Sequence, residues 1–305
     1  MDLRIALLAV VIFAAGCASV LEEDGALAVV PYRLGDKGQI IVKATINDQG
    51  PFDFALDTGA SISVVFGETC DRCRLERREE KPVVIQGMVG TGRFPTTMIA
   101  SLELGNVKWV DAKAAVIPGD TIASAEIDGI LGIDLLGQYA IGFAAGEKVI
   151  RLYPPELVGE RAYQGWSSVP LRLLKTDLGD TTLYAIDLEI SGRTIPALFD
   201  LGAGPNMMNW RALRFIGVPL RRRHGGSTVS GTVETATIDA ELLVDVVKTH
   251  NHRWRNTKFL IADIRILDLL ELDDKPIAIV GANLFNQRDF VIDFARRRLL
   301  IRRSE

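Results

Sequence analysis

The sequence predicts an all-β protein built from two similar lobes, and three observations carry that expectation. Short runs rich in Val, Ile, Phe and Thr recur along the chain, separated by Gly, Asn, Asp and Pro. That is the rhythm of strands closed by tight turns. Helical periodicity is weak, with short helices expected only around 134–138 and 283–287. Finally, the chain repeats itself once with a period of about 145 residues, too long for a solenoid unit and suited to a duplicated lobe.

The first residues stand outside this pattern. Arg4 precedes an apolar run from Ile5 to Ala15, which ends in Ala14-Ala15-Gly16-Cys17. The run falls short of the roughly 20 apolar residues that a membrane-spanning helix needs. Its length suits the hydrophobic segment of a secretory signal. The closing residues resemble the lipobox of bacterial lipoproteins, a family whose signal is cut before the Cys and whose Cys is then acylated. The resemblance implies a signal peptide over 1–16 and lipidation at Cys17. It also implies export to the periplasmic side of the bacterial envelope, with the membrane engaged through a lipid anchor. A tether is expected over 17–35.

The repeat defines the rest. In the first copy, Ile40 to Ile46 is followed by the turn Asn47-Asp48-Gln49-Gly50. The short strand Phe52 to Leu56 then runs into Asp57-Thr58-Gly59-Ala60-Ser61. In the second, Leu183 to Ile190 is followed by Ser191-Gly192-Arg193, and Ile195 to Phe199 runs into Asp200-Leu201-Gly202-Ala203-Gly204. Downstream, Gly129-Ile130-Leu131-Gly132-Ile133-Asp134 matches Ala278-Ile279-Val280-Gly281-Ala282-Asn283. The prolines of Tyr153-Pro154-Pro155 mark a join. The lobes are therefore expected over 36–153 and 166–305, with a linker over 154–165.

Composition narrows the chemistry. With 35 Lys and Arg against 39 Asp and Glu in 305 residues, the net charge of −4 offers no broad attraction to nucleic acid. Three His and three Cys leave little material for a metal centre, and neither a metal nor another cofactor is expected. His250 and His252 read as surface-loop residues. Cys70 and Cys73 are close enough to form a small local disulfide in an oxidising compartment, or to stand as two idle thiols. There is no Gly-x-Ser-x-Gly elbow for a serine hydrolase and no phosphate-binding loop.

What the repeated motif can do follows from its charge. A carboxylate at the end of a buried strand must be hydrogen-bonded or keep its proton. Gly59 and Gly202 let the backbone bend sharply behind each Asp. Two copies related by an approximate two-fold axis would bring Asp57 and Asp200 together. Like charges sharing one site cannot easily both ionise, so such a pair holds one proton over a wide pH range.

These residues resemble the retropepsin-like aspartic peptidases. The resemblance rests on Asp57-Thr58-Gly59-Ala60-Ser61 after Phe54-Ala55-Leu56, on Ile130-Leu131-Gly132, and on their copies in the second half. It implies an acid-protease fold, pepsin- and retropepsin-like, with two similar β-barrel lobes and a cleft between them. It implies an aspartic-type endopeptidase in which Asp57 and Asp200 are the catalytic pair, acting on a peptide or protein substrate. Thr58 would hydrogen-bond across to the other lobe, and Ser61 would orient the first carboxylate. Gly132 and Gly281, with their apolar neighbours, would support the loops of Gly59 and Gly202. The glycine hairpin from Gln86 to Arg93, with Gly90, Thr91 and Gly92, would form a flap over substrate, and 225–231 would form its counterpart.

The second copy departs from the pattern twice. Leu201 stands in the Thr position and Gly204 in the Ser position, so two hydroxyls are missing. These departures favour an alternative, a non-catalytic peptide-binding envelope lipoprotein on the same fold. A monomer is expected to close its own site. The remaining option is a homodimer that pairs two first lobes and leaves Asp200 idle.

Overall fold

The computed structural model describes residues 25–87, 90–118, 127–157, 163–174, 182–220, 227–230, 235–262, 267 and 274–303. The signal peptide expected over 1–16, Cys17, the flap tip at 88–89 and parts of the second hairpin lie outside the described residues. The molecule is nearly all-β, with two barrel-like lobes in the acid-protease arrangement.

Hairpins organise both lobes, and their turns are written in the sequence. Ile40–Ile46 pairs with Gln49–Leu56 through Asn47 and Asp48, whose φ values are 48° and 60°. Leu183–Ile190 pairs with Arg193–Phe199 through Ser191 and Gly192, at 53° and 76°. Two successive left-handed residues give the twist that a two-residue hairpin needs. Along Ala28–Leu34, Ala28, Val30 and Tyr32 face inward while Val29, Pro31 and Arg33 face out, the period-two pattern of a strand with one buried face.

The strand leading to each Asp sits in the same setting. Gln49–Leu56 runs parallel to Gly129–Leu131, which pairs with Val64–Phe66, which in turn runs parallel to Val107–Ile117. In the second lobe, Arg193–Phe199, Ala278–Val280, Met207–Met208 and His252–Ile261 repeat that order and those directions. The short strands Val64–Phe66, Gly129–Leu131, Met207–Met208 and Ala278–Val280 are buried throughout and apolar, as fully covered strands must be.

The two lobes share one sheet. Its order is Ser167–Pro170, Arg298–Ile301, Phe290–Asp293, Ala140–Ala144, Val149–Tyr153 and Ala28–Leu34. The lobes meet where Phe290–Asp293 pairs with Ala140–Ala144, and Phe143 stacks on Phe290 at 4.2 Å there. One face of this sheet joins a core common to both lobes. The other is covered by Tyr153, Tyr163 and Trp166.

Some expectations are corrected. The tether expected over 17–35 includes the strand Ala28–Leu34, drawn into the shared sheet because its alternate residues are apolar. The linker expected over 154–165 holds a short 3₁₀ turn, Pro155–Leu157, and Tyr163 packs on the sheet. The expected helices are Ile133–Leu136 and a 3₁₀ turn at Ala282–Leu284. Two more were not legible, Gly67–Arg72 and Trp210–Ile216. Segments this short carry too few turns to show a helical period. His252 is buried, not a surface residue, and Cys70 and Cys73 are buried free thiols.

Candidate active site

Each Asp is held by the strand pairing that precedes it. The Asp57 amide donates to the Leu131 carbonyl at 3.0 Å, and the Asp200 amide donates to Val280 at 3.0 Å. The backbone then turns back on the carboxylate. Gly59 donates to Asp57 Oδ1 at 2.7 Å, and Ala203 donates to Asp200 Oδ1 at 3.0 Å.

The two loops face one another. A Cβ placed on Gly59 would lie 2.7 Å from Asp200 Cγ, and one on Gly202 would lie 2.3 Å from Asp57 Cγ. Each glycine's missing side chain is thus the space taken by the opposite carboxylate. The carboxyl groups hydrogen-bond to each other. Burial pushes both upward from the usual carboxylate range. For Asp57 the neighbouring Asp200 charge adds to the rise, and the Gly59 and Ala60 amides partly offset it. For Asp200 the Ala203 amide, the hydrogen bond from Asp57 and the Gly202 amide act against burial. A pair in this setting holds one proton between two carboxylates.

Thr58 locks the loops together. Its hydroxyl donates to the Phe199 carbonyl at 2.9 Å and accepts from the Leu201 amide at 2.9 Å, both buried. Leu201 lies fully buried in the common core, so the lock is one-sided and the second lobe contributes packing in its place.

Ser61 differs from expectation. Its hydroxyl donates to the Thr182 carbonyl at 3.2 Å and accepts from the Thr182 amide at 3.0 Å. It therefore ties the first loop to the second lobe, and Asp57 is oriented by backbone amides. The second lobe makes the same kind of contact without a side chain. The Lys37 carbonyl approaches Gly204 so closely that a Cβ there would overlap it, at 1.6 Å. Gly204 is thus a steric requirement of the lobe contact.

The glycines behind the loops are also sterically required. A Cβ on Gly132 would lie 2.8 Å from the Ala60 carbonyl, and one on Gly281 would lie 2.4 Å from Ala203. These carbonyls accept from Ile133 at 2.8 Å and Ala282 at 2.7 Å, so each helical turn props up its loop. The Gly132 amide donates to Ser63 Oγ at 3.0 Å, which donates to Asp134 Oδ1 at 2.8 Å. In the second lobe Asn206 replaces that pair, accepting from the Gly281 amide at 3.1 Å. Ser63 and Asp134 were not singled out as support residues, whereas Asn206, a candidate to compensate for the hydroxyl missing at Gly204, instead braces Gly281. Their signal was the apolar-apolar-Gly motif they serve.

The hairpin of Arg78–Gly87 and Gly90–Leu104 is present, with Gln86 opposite Thr91, Gly87 opposite Gly90 and Ile85 opposite Gly92. Its base leans on the first lobe through Val83, Ile85 and Phe94, in a cluster that includes Ala60 of the Asp57 loop. In the second lobe Ser227–Ser230 pairs with Thr235–Ile238 as a separate two-stranded ribbon.

A strand-borne Asp pair, loops crossed over each other's carboxylates and a hairpin rooted beside one loop define an acid-protease class of fold. Comparison with known families agrees over part of the chain. Within the chain, the stretch 42–138 matches the family described as gag-polyprotein putative aspartyl protease. It runs from the strand pair before Asp57 to just past the helical turn behind Gly132. No curated protein matches the chain.

Proposed function

We propose that the protein is an aspartic-type endopeptidase whose single chain supplies both catalytic carboxylates. The observation that carries this reading is the crossed packing of Gly59 on Asp200 and Gly202 on Asp57, which joins two halves of one chain at a shared carboxyl pair. With one proton on the pair, the ionised carboxylate takes a proton from a water between the two groups. That water's oxygen bonds to the scissile carbonyl carbon, while the protonated carboxyl donates to the carbonyl oxygen. The tetrahedral diol then collapses. Its C–N bond breaks as the amine takes the proton of the pair, and a diol hydroxyl gives its proton to the pair as the new carboxyl C=O forms, so one shared proton remains.

The substrate is an extended peptide or an unfolded protein segment. The Gly90–Gly92 side of the hairpin would supply backbone hydrogen bonds to it. We place the protein on the periplasmic side of the bacterial envelope, anchored through acylated Cys17. The non-catalytic alternative drew on Leu201 and Gly204. The burial of Leu201 and the Lys37 contact of Gly204 give both residues structural reasons to be there.

The test is cleavage of a mixed peptide library from acidic to neutral pH, read by mass spectrometry. Wild type is compared with Asp57→Asn and Asp200→Asn. Loss in both variants supports the single-chain pair. Loss in Asp57→Asn alone would point to paired first lobes, and no cleavage by wild type at any pH would favour the binding protein.

A further inference from the structure

The two hairpins beside the Asp loops are joined to their lobes in different ways. In the first lobe the strand Gly90–Leu104 runs unbroken from the hairpin into the sheet, and it pairs with Val107–Ile117 from Thr96 onward. In the second lobe Thr235–Ile238 ends, and a new strand, Ala240–Thr249, begins after the single residue Asp239. Among the described residues, Ser227–Ser230 and Thr235–Ile238 form a sheet of their own. Two short strands are marginal by themselves, so the placement of this ribbon depends on what holds its root.

Asp239 is that root. Its amide donates to the Ile261 carbonyl at 2.9 Å, and its Oδ2 accepts from Trp210 Nε1 at 2.8 Å. Trp210 is the first residue of the helix Trp210–Ile216, and Asn209 fixes that end. Asn209 Oδ1 accepts from the Ala212 amide at 2.8 Å, and its Nδ2 donates to the Lys275 carbonyl at 2.8 Å. The Asn209 amide donates to the Ile277 carbonyl at 3.2 Å, next to Ala278–Val280, whose last carbonyl holds the Asp200 amide. The ribbon root and the Asp200 strand therefore share one support. Beside Asp239, Ile238 is buried in an apolar cluster with Ala203 of the Asp200 loop.

The internal repeat shows that this latch belongs to the second lobe alone. Val247 stands opposite Trp254 as Leu102 stands opposite Trp109, which puts Asp239 at the strand position of Phe94. Trp210 follows Asp200 at the same distance as Gly67 follows Asp57, and Gly67 opens the corresponding helix. Gly67 and Phe94 cannot hydrogen-bond through their side chains, and there the unbroken strand fixes the hairpin instead. The polar pair stands where the strand is interrupted. We infer that Trp210 is a positioning residue for substrate binding: through Asp239 it holds the second ribbon beside the Asp200 loop, so that an extended peptide is held from both lobes. This inference rests on the peptidase reading.

The experiment uses the full chain carrying Trp210→Phe, Asp239→Ala or Asp239→Asn. Phe keeps a ring without the N–H, Ala removes the acceptor, and Asn keeps an acceptor oxygen. Amide hydrogen exchange, measured without peptide, should quicken over 227–230 and 235–238 in the first two variants and keep the wild-type rate over 90–104. On the library peptide that wild type cleaves best, the same two variants should raise KM by about fivefold or more with kcat within about twofold. Asp239→Asn should return both readings toward wild type. Trp210→Phe combined with Asp239→Ala should be no worse than either alone, because both remove the same bond. Unchanged exchange in Trp210→Phe and Asp239→Ala overturns the inference. So does a KM equal to that of wild type, or a kcat that falls as far as kcat/KM. If wild type cleaves nothing at any pH, the peptidase reading fails and the substrate role falls with it, while exchange still decides whether Trp210 anchors the ribbon.

Discussion

Replacing Thr58 with Val tests whether the lobes are locked at their loops. Valine matches threonine in shape, so packing at this position, 1% exposed, is retained. What is lost is one hydroxyl serving two buried groups, the Phe199 carbonyl and the Leu201 amide, each at 2.9 Å. An orphaned buried group costs about 1–3 kcal/mol, so the pair should cost about 3 kcal/mol in all. With a urea slope of about 3 kcal/mol/M, the unfolding midpoint should fall by about 1 M. Thr58→Ser keeps the hydroxyl and should stay within about 1 kcal/mol of wild type. The assay is urea unfolding followed by tryptophan fluorescence. A Thr58→Val midpoint equal to that of wild type would refute the reasoning, because the cross-lobe bonds would then carry no net free energy.

Two further outcomes are expected. Gly204→Ser restores the family's hydroxyl in name, but its Cβ would overlap the Lys37 carbonyl, so it should lower both the unfolding midpoint and peptide cleavage. A variant as stable and active as wild type would show that the lobe contact yields freely. The carboxyl pair should also make stability depend on pH. Both folded-state pKa values are raised by burial, so the folded state keeps protons that the unfolded chain releases. Their contribution is full below about pH 4 and is lost as pH rises through the folded values. Asp57→Asn removes this coupling, so its midpoint should gain on that of wild type from pH 4 to pH 7. Parallel curves would sink the argument. His252 titrates in the opposite sense, but it is common to both proteins and cancels.

The legible part of this protein was local. The hairpin turns at Asn47-Asp48 and Ser191-Gly192 were visible because few residue types accept left-handed backbone. The Asp-x-Gly loops and the apolar-apolar-Gly segments were visible because a strand, a sharp turn and a buried prop each restrict composition. The short helices were not legible, since six or seven residues show little periodicity. The role of Ser61 was misread because a hydroxyl's nearest acceptor in sequence need not be its partner in space, and Thr182 arrives from the other lobe.

By itself, then, the sequence determined the duplicated β architecture, the two aspartates and the glycines around them, because strand alternation and turn chemistry are properties of neighbouring residues. Only the tertiary structure decided that Leu201 is a core residue, that Gly204 makes room for Lys37, that one hydroxyl locks both loops and that His252 lies buried. Each of these depends on which distant segment packs against the residue. That choice is made by the whole core closing at once, with the shared sheet setting how the two lobes meet.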